Sequence, residues 1–497
     1  MEMSHLISLL ILLSFETFGD SLRFPKNFKF GVATASYQIE GGWNASGKGE
    51  NIWDRLTHEH PDWVKDHQNG DVACDSYHLW KQDVEMLKYL NVTFYRFSLS
   101  WSRILPSGFS NYINPDGVRY YNDLINELLK NGIEPMVTLY HWDLPQPLQE
   151  VGGWPNPLLA KYFEDYAKIA FELFGDRVKT WITFNEPPEV CESGYAEGAN
   201  APCYKSSGIG DYMCGKTLLL AHARAYHIYD KLYRPKQKGK VGITIDAIWA
   251  EPKTNRIKDI KAAERQMQMD LGWWAHPIFS KSGDYPEIMK NRIGNLSKAE
   301  NFSSSRLPQF TENEIRFIQG SFDFFGLNHY SSWLVSDLKI PVNAPVSHWK
   351  DVSVLMQQDP KWKPSAATWL KVVPWGLRKL LNWIKKEYNN PPVYITENGF
   401  ADFGELNDFG RLDYLKGYLN ALLKAILLDG CNVKAYTCWS LMDNMEWRDG
   451  YTLKFGLYYV NFTNPKRTRT EKASAEFYKT IIETRTILED LEQVIVL

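Results

Sequence analysis

Two kinds of hydrophobic pattern alternate along the chain. Short runs of β-branched, aromatic and aliphatic residues occur at 28–33, 94–99, 134–140, 181–184, 241–246, 322–327, 393–396 and 433–437. Between them lie longer stretches whose apolar positions recur every three to four residues, as at 121–129, 158–173, 216–232, 374–388 and 414–428. The first pattern predicts buried strands and the second amphipathic helices. Strands that alternate with helices form parallel βαβ units. Eight such units without a linker or composition break predict a single α/β domain, a (β/α)8 TIM barrel with long active-site loops, rather than an open sheet. No Gly-x-Gly-x-x-Gly follows the first run, so nothing points to a dinucleotide.

This barrel predicts where the chemistry sits, because active sites of the fold lie at the C-terminal ends of the strands. Polar residues end the runs there: Gln38 after the first, Arg96 within the second and His141 after the third. Asn185 and Glu186 end the fourth, Asn328 and Tyr330 the sixth and Glu397 the seventh, with Trp439 after the eighth. Polar groups gathered at one barrel end cost burial energy unless they are used.

Composition narrows the partner. A net charge of −3 without long runs of either sign excludes a nucleic-acid surface and fits a neutral or weakly charged small molecule. Nineteen Trp and 27 Tyr supply aromatic faces of the kind on which sugar rings stack. Residues 1–20 contain the apolar run 6–13, the length of a signal-peptide core and too short to span a bilayer, although no Lys or Arg precedes it. The expectation is a secreted domain of 21–497 with no membrane anchorage. Sequons at Asn44, Asn295, Asn301 and Asn461 fit that compartment, with Asn295 and Asn301 in a polar loop; Asn91, beside an apolar run, is set aside as inaccessible. The six cysteines match no zinc spacing. Cys203 and Cys214 bracket a polar Gly-rich loop and are expected to form a disulfide there, the others being buried thiols. His58, Glu59 and His60 read as a solvated loop, so no metal is implied.

Two short motifs carry the chemistry: Thr183-Phe184-Asn185-Glu186-Pro187 and Ile395-Thr396-Glu397-Asn398-Gly399. Strands four and seven lie nearly opposite in an eight-stranded barrel, so their glutamates can face each other across a substrate. A retaining glycosidase needs two carboxyls about 5–5.5 Å apart, one to attack the anomeric carbon and one to serve as acid and then base. Taken singly, each motif reads equally well as a surface glutamate.

Together with Phe30-Gly31-Val32-Ala33-Thr34-Ala35-Ser36-Tyr37-Gln38-Ile39-Glu40-Gly41 and Trp439-Ser440-Leu441-Met442-Asp443-Asn444-Met445-Glu446-Trp447, these motifs resemble glycoside hydrolase family 1, from about Phe24 to about Thr470. Within it the chain is similar to insect β-glucosidases and insect myrosinase. The resemblance implies a retaining β-glycosidase without a cofactor, acting on a small-molecule β-glucoside, and leaves monomer and homodimer equally open. It implies Glu186 as acid/base and Glu397 as nucleophile. Asn185 matches the residue that binds the sugar 2-OH. Gln38, His141, Glu446 and Trp447 match the sugar pocket, and Trp439 its platform. Arg96 and Tyr330 match neighbours of the nucleophile.

Glu446 places a carboxylate where a 6-phosphate would sit, which favours a neutral hexose. Met445 and Arg448 depart from the family's usual residues, and Arg448 at the pocket mouth could attract an anionic aglycone. Glu192 and Trp333 stand where insect myrosinase aligns its sulfate-binding basic residues. The alternatives are a thioglucosidase acting on glucosinolates and a non-catalytic, klotho-like binding protein.

Overall fold

The computed structural model describes residues 23–487; the expected signal segment 1–20 lies outside them. All eight runs form strands: β1 Lys29–Ala33, β2 Phe94–Ser98, β3 Glu134–Tyr140, β4 Thr180–Asn185, β5 Lys240–Asp246, β6 Phe324–Asn328, β7 Val393–Asn398 and β8 Val433–Trp439. They pair in parallel and in sequence, and β1 closes on β8, so the sheet is a closed barrel. Helices cover the outside: α1 Ser76–Leu90, α2 Pro115–Lys130, α3 Leu159–Phe174, α4 Gly210–Ile228, then a group between β5 and β6, and α5 Pro374–Glu387, α6 Phe409–Leu427 and α7 Ala473–Thr484. Local chemistry sets their ends. In α2 the Asn114 side chain accepts from the Asp116 N–H at 3.3 Å, with Pro115 in the first turn where no donor is needed.

The barrel interior is layered by the two-residue period of its strands. Phe94, Met136, Ile182, Phe324, Tyr394 and Ala435 fill the lower layer, with Phe324 and Tyr394 stacked at 4.5 Å. Gly242 on β5 admits this plug, because a Cβ there would meet the Phe324 ring at 2.6 Å. Two residues further along, Arg96 on β2, Thr138 on β3, Thr244 on β5 and Thr396 on β7 form a polar layer directly above it. The apolar plug is thus the floor on which the site is built.

Some local expectations are corrected. The disulfide joins Cys191 to Cys214, with Cα atoms 5.6 Å apart, and Cys203 is a half-buried free thiol. Cys191 sits in a π-helical turn, Glu189–Ser193, just after β4, and Cys214 in the first turns of α4. Folding brings those buried positions together, whereas sequence proximity favoured Cys203. Asn91 is exposed, ending α1 in a left-handed conformation at φ 56°, so it is accessible. Asn295 lies on a helix, Glu287–Ala299, rather than in a loop. Three short strands, Trp249–Pro252, Ser332–Asp337 and Val354–Gln357, form a separate sheet that the runs did not predict.

Peptide mapping without reduction should recover Cys191 linked to Cys214. Cys214→Ala should cost about 3 kcal/mol in denaturant unfolding, while Cys203→Ala should leave the midpoint unchanged.

Candidate active site

Both motif strands break register just before their glutamate. Between β4 and β5 the pairing slips between Ile182 and Asn185, and between β6 and β7 it slips between Ile395 and Glu397. A bulge re-aims the side chain that follows it, and here both glutamates line one cavity of about 760 Å³. Glu186 is held at φ 49°, a left-handed conformation that costs a non-glycine residue about 1–2 kcal/mol. Its N–H is anchored on the Thr244 carbonyl at 3.0 Å. Trp142 and Trp447, also in the cavity wall, have φ 74° and 51°. Gly399 closes the second motif because a Cβ there would lie 2.0 Å from the Trp439 carbonyl oxygen.

The two carboxyls have different surroundings. Glu397 Oε1 accepts from Arg96 Nη1 at 2.7 Å and Oε2 from the Tyr330 hydroxyl at 2.6 Å. Arg96 is itself buried and also donates to Asn185 Oδ1 at 2.6 Å, the Thr396 carbonyl at 2.7 Å and Thr138 Oγ1 at 3.2 Å. Among the described residues Glu186 Oε1 accepts only from Asn328 Nδ2, at 2.6 Å. Burial raises both carboxyls above their ordinary range. The Arg96 cation and the Tyr330 phenol oppose that rise at Glu397, whereas the negative charge of Glu397, and then Asp246, adds to it at Glu186. The proton shared by the pair therefore belongs to Glu186 and the charge to Glu397.

The remaining expected residues converge at the deep end. His141, Trp439, Glu446 and Trp447 line the same cavity. Trp439 and Trp447 each stack on His141 at 5.9 Å. Gln38 Nε2 donates to Asn444 Oδ1 and the Met445 carbonyl, both at 2.9 Å, which fixes the amide. Asn185 Oδ1 accepts from Arg96 and Asn328, so its Nδ2 donates toward His141 Nε2 at 3.1 Å. Burial, and then Arg96, keep His141 neutral. Gln38 Oε1, His141 Nδ1 and Glu446 Oε1 are buried without a partner among the described residues. Such groups cost stability unless a ligand pairs them, and an amide oxygen, a ring nitrogen and a carboxyl side by side suit a polyol. Burial pushes Glu446 up to about 8 despite the indole N–H of Trp439, so near neutral pH this carboxyl holds a proton and can both donate to and accept from hydroxyls.

Sequence reasoning missed part of the mouth. Trp63 and Trp142 line it with Trp333 and Trp369. Trp63 donates to the Ala199 carbonyl at 2.9 Å, Trp142 to the Asn185 carbonyl at 3.0 Å, and Arg448 covers the Trp63 ring at 5.3 Å. The only signal was an unassigned Trp among Asp, Pro and Lys after the His58 segment. His58 itself bonds Asp71 at 2.7 Å, away from this cavity.

The family model for glycosyl hydrolase family 1 matches residues 20–487. This chain belongs to that family. It is 51% identical over 467 residues to Myrosinase 1 of Brevicoryne brassicae, covering 93% of this chain and 99% of that protein. It is 45% identical over 464 residues to the cytosolic β-glucosidase of Homo sapiens, covering 93% and 98%. Among solved structures it superposes on aphid myrosinase with a TM-score of 0.89 at 51% identity, covering 93% and 99%. A mutant rice β-glucosidase in a covalent complex with Glc matches with a TM-score of 0.87 at 38% identity, covering 92% and 98%. The glycosyl hydrolase family 1 member described here is thus a β-glycosidase of the retaining type, with carbohydrate substrates.

Tyr330→Phe removes a donor that favours ionised Glu397. The acid limb of the kcat/KM profile should therefore move to higher pH, by about one unit; a limb that stays in place would contradict this geometry.

Proposed function

We propose that this glycosidase hydrolyses neutral β-D-glucosides through oxygen-linked aglycones, with Glu397 as nucleophile and Glu186 as acid/base, and that it acts outside the cell. The observation that carries the reading is the unequal pair in one cavity. Glu397 holds an arginine and a phenol, whereas buried Glu186 has one neutral donor.

Glu397 attacks the anomeric carbon while Glu186 passes its proton to the departing oxygen, leaving a glycosyl ester on Glu397. Esterification removes the negative charge that held the Glu186 proton, so Glu186 can next take a proton from water. That water opens the ester, and the second inversion restores the β-configuration. Asn185, beside both carboxyls, holds the 2-OH, a contact that strengthens as positive charge develops on the ring. Gln38, His141 and Glu446 take the remaining hydroxyls over the Trp439 face, and Trp447 closes the pocket. The apolar run before residue 20 and a disulfide suited to an oxidising compartment support secretion.

A thioglucosidase is the second reading, favoured by the 51% identity to a protein named myrosinase. Against it, the cavity that Trp333 lines also carries Glu189 and Asp246, acids that do not attract a sulfate. The basic residues of the mouth are already engaged, Lys65 with Asp449 at 3.7 Å and Arg448 over the Trp63 ring. A klotho-like binding role is disfavoured by the presence of both glutamates.

Glu397→Gly should lower kcat by about 10⁴-fold or more. Glu186→Gln should lose about 10²–10⁴-fold on glucosides with basic leaving groups and much less on activated aryl glucosides. Unchanged hydrolysis in the first variant sinks the mechanism. When an aryl β-glucoside and sinigrin are assayed in the medium and lysate of expressing cells, the aryl substrate should lead by about 10²-fold in kcat/KM, in the medium. Comparable cleavage of sinigrin overturns the oxygen preference, and activity confined to the lysate overturns secretion.

A further inference from the structure

Asp443 lies between Trp439 and Glu446 in the chain, yet it is not among the residues that line the cavity. It is fully buried. Its Oδ1 accepts from the Lys472 ammonium at 2.8 Å and from the Gly456 N–H at 3.0 Å. Its own N–H donates to the Tyr458 carbonyl at 2.9 Å, and its carbonyl accepts from Cys74 Sγ at 3.1 Å. Gly456 permits this approach, since a Cβ there would lie 2.0 Å from the Asp443 nitrogen. Lys472, equally buried just before α7, also reaches Asp402 Oδ1 at 3.4 Å, on the loop that follows β7. Arg411 of α6 meets Asp402 from the other side at 2.6 Å.

One ammonium thus ties the loop after the nucleophile's strand to the segment after β8. Withdrawing such an ion pair from water is expensive, and an apolar pair of similar volume would hold a fold at least as well. Bulk stability therefore does not account for it, and the next two residues suggest what does. Asn444 Oδ1 and the Met445 carbonyl both accept from Gln38 Nε2 at 2.9 Å, and the Met445 N–H donates to the Gln38 carbonyl at 3.1 Å. Asn444 Nδ2 donates to Ser440 Oγ and the Met442 carbonyl, both at 3.1 Å, so its amide is oriented too. Both Nε2 protons of Gln38 are used, which fixes Oε1, its buried acceptor.

We propose that the Lys472–Asp443 ion pair is a positioning device for the sugar pocket: it holds the backbone of 443–445 in the place from which the Gln38 amide is aimed at a glucoside hydroxyl. The proposal rests on Gln38 being a sugar ligand. Gln38 serves hydroxyls beyond the 2-OH, so it binds substrate and transition state alike. Loss of its aim raises KM and leaves kcat nearly unchanged.

The test is steady-state kinetics on an aryl β-glucoside, with thermal melts to confirm folding. The variants are Lys472→Met/Asp443→Asn, Gln38→Ala and the triple combination. The double variant removes both charges together, leaves no buried carboxylate stranded at 443, and keeps an acceptor for the Gly456 N–H. Its KM should rise about tenfold, with kcat within about threefold of wild type. Gln38→Ala should raise KM as well. On that background the double substitution should add less than about twofold, because its effect passes through Gln38. Asp443→Asn alone, which leaves Lys472 its contact with Asp402, gives the same reading where the double variant fails to fold. A folded variant with a lowered melting temperature and an unchanged KM overturns the proposal. So does a KM rise of equal size with and without Gln38. If Gln38→Ala itself leaves KM unchanged, the sugar-ligand reading of Gln38 fails first, and the proposal falls with it.

Discussion

The guanidinium of Arg96 is buried at the centre of the barrel and meets groups from β3, β4 and β7 at once: Thr138, Asn185, Thr396 and Glu397. A cation withdrawn from water this far is tolerable only with a negative partner and with its donors filled. Glu397 is the partner, so the fold and the reaction share one requirement, an ionised carboxylate at that position. The same guanidinium orients the Asn185 amide, and through Asn185 the amide of Asn328, which touches Glu186. One charge thereby organises both halves of the site. The apolar plug beneath it, from Phe94 to Tyr394, excludes water from below.

Above that layer the site works by contrast. The two glutamates share one cavity, yet Arg96 and Tyr330 surround one, and mostly other acids surround the second. Environment, not residue type, separates nucleophile from acid. The sugar end follows a different rule. Its oxygens and ring nitrogen lack protein partners, and the surrounding contacts of Gln38 and Asn185 hold them in place until a polyol supplies the missing bonds.

What could be read in the chain follows from which forces are local. The strands were legible because parallel strands buried on both faces are short continuous apolar runs, and even β6, which starts two residues and ends one residue later than the run at 322–327, kept Asn328 at its end. The convergence of Gln38, His141, Glu186, Tyr330, Glu397 and Glu446 followed once strand ends were known. The bulges before Glu186 and Glu397 were not legible, because an extra residue in one strand is defined only by its neighbour's register. Cys191 lies farther from Cys214 in sequence than Cys203 does, and only the docking of the turn after β4 on α4 brings it close. Trp63 reaches the mouth from a single 3-10 turn, Pro61–Trp63, that the eight-unit rhythm leaves unassigned.

The left-handed backbone at Glu186 has an evolutionary consequence. A glycine there would relieve the conformational cost, and it would also remove a carboxyl that burial penalises. Folding therefore gives the acid no protection, and only selection for turnover maintains it. A lineage released from that selection could lose Glu186 while keeping, or even strengthening, the barrel. Loss of Arg96 would be far harsher, since it would leave Glu397 buried without its cation. Decay of the enzyme into a sugar-binding scaffold would thus begin at β4, with β7 the last strand to change.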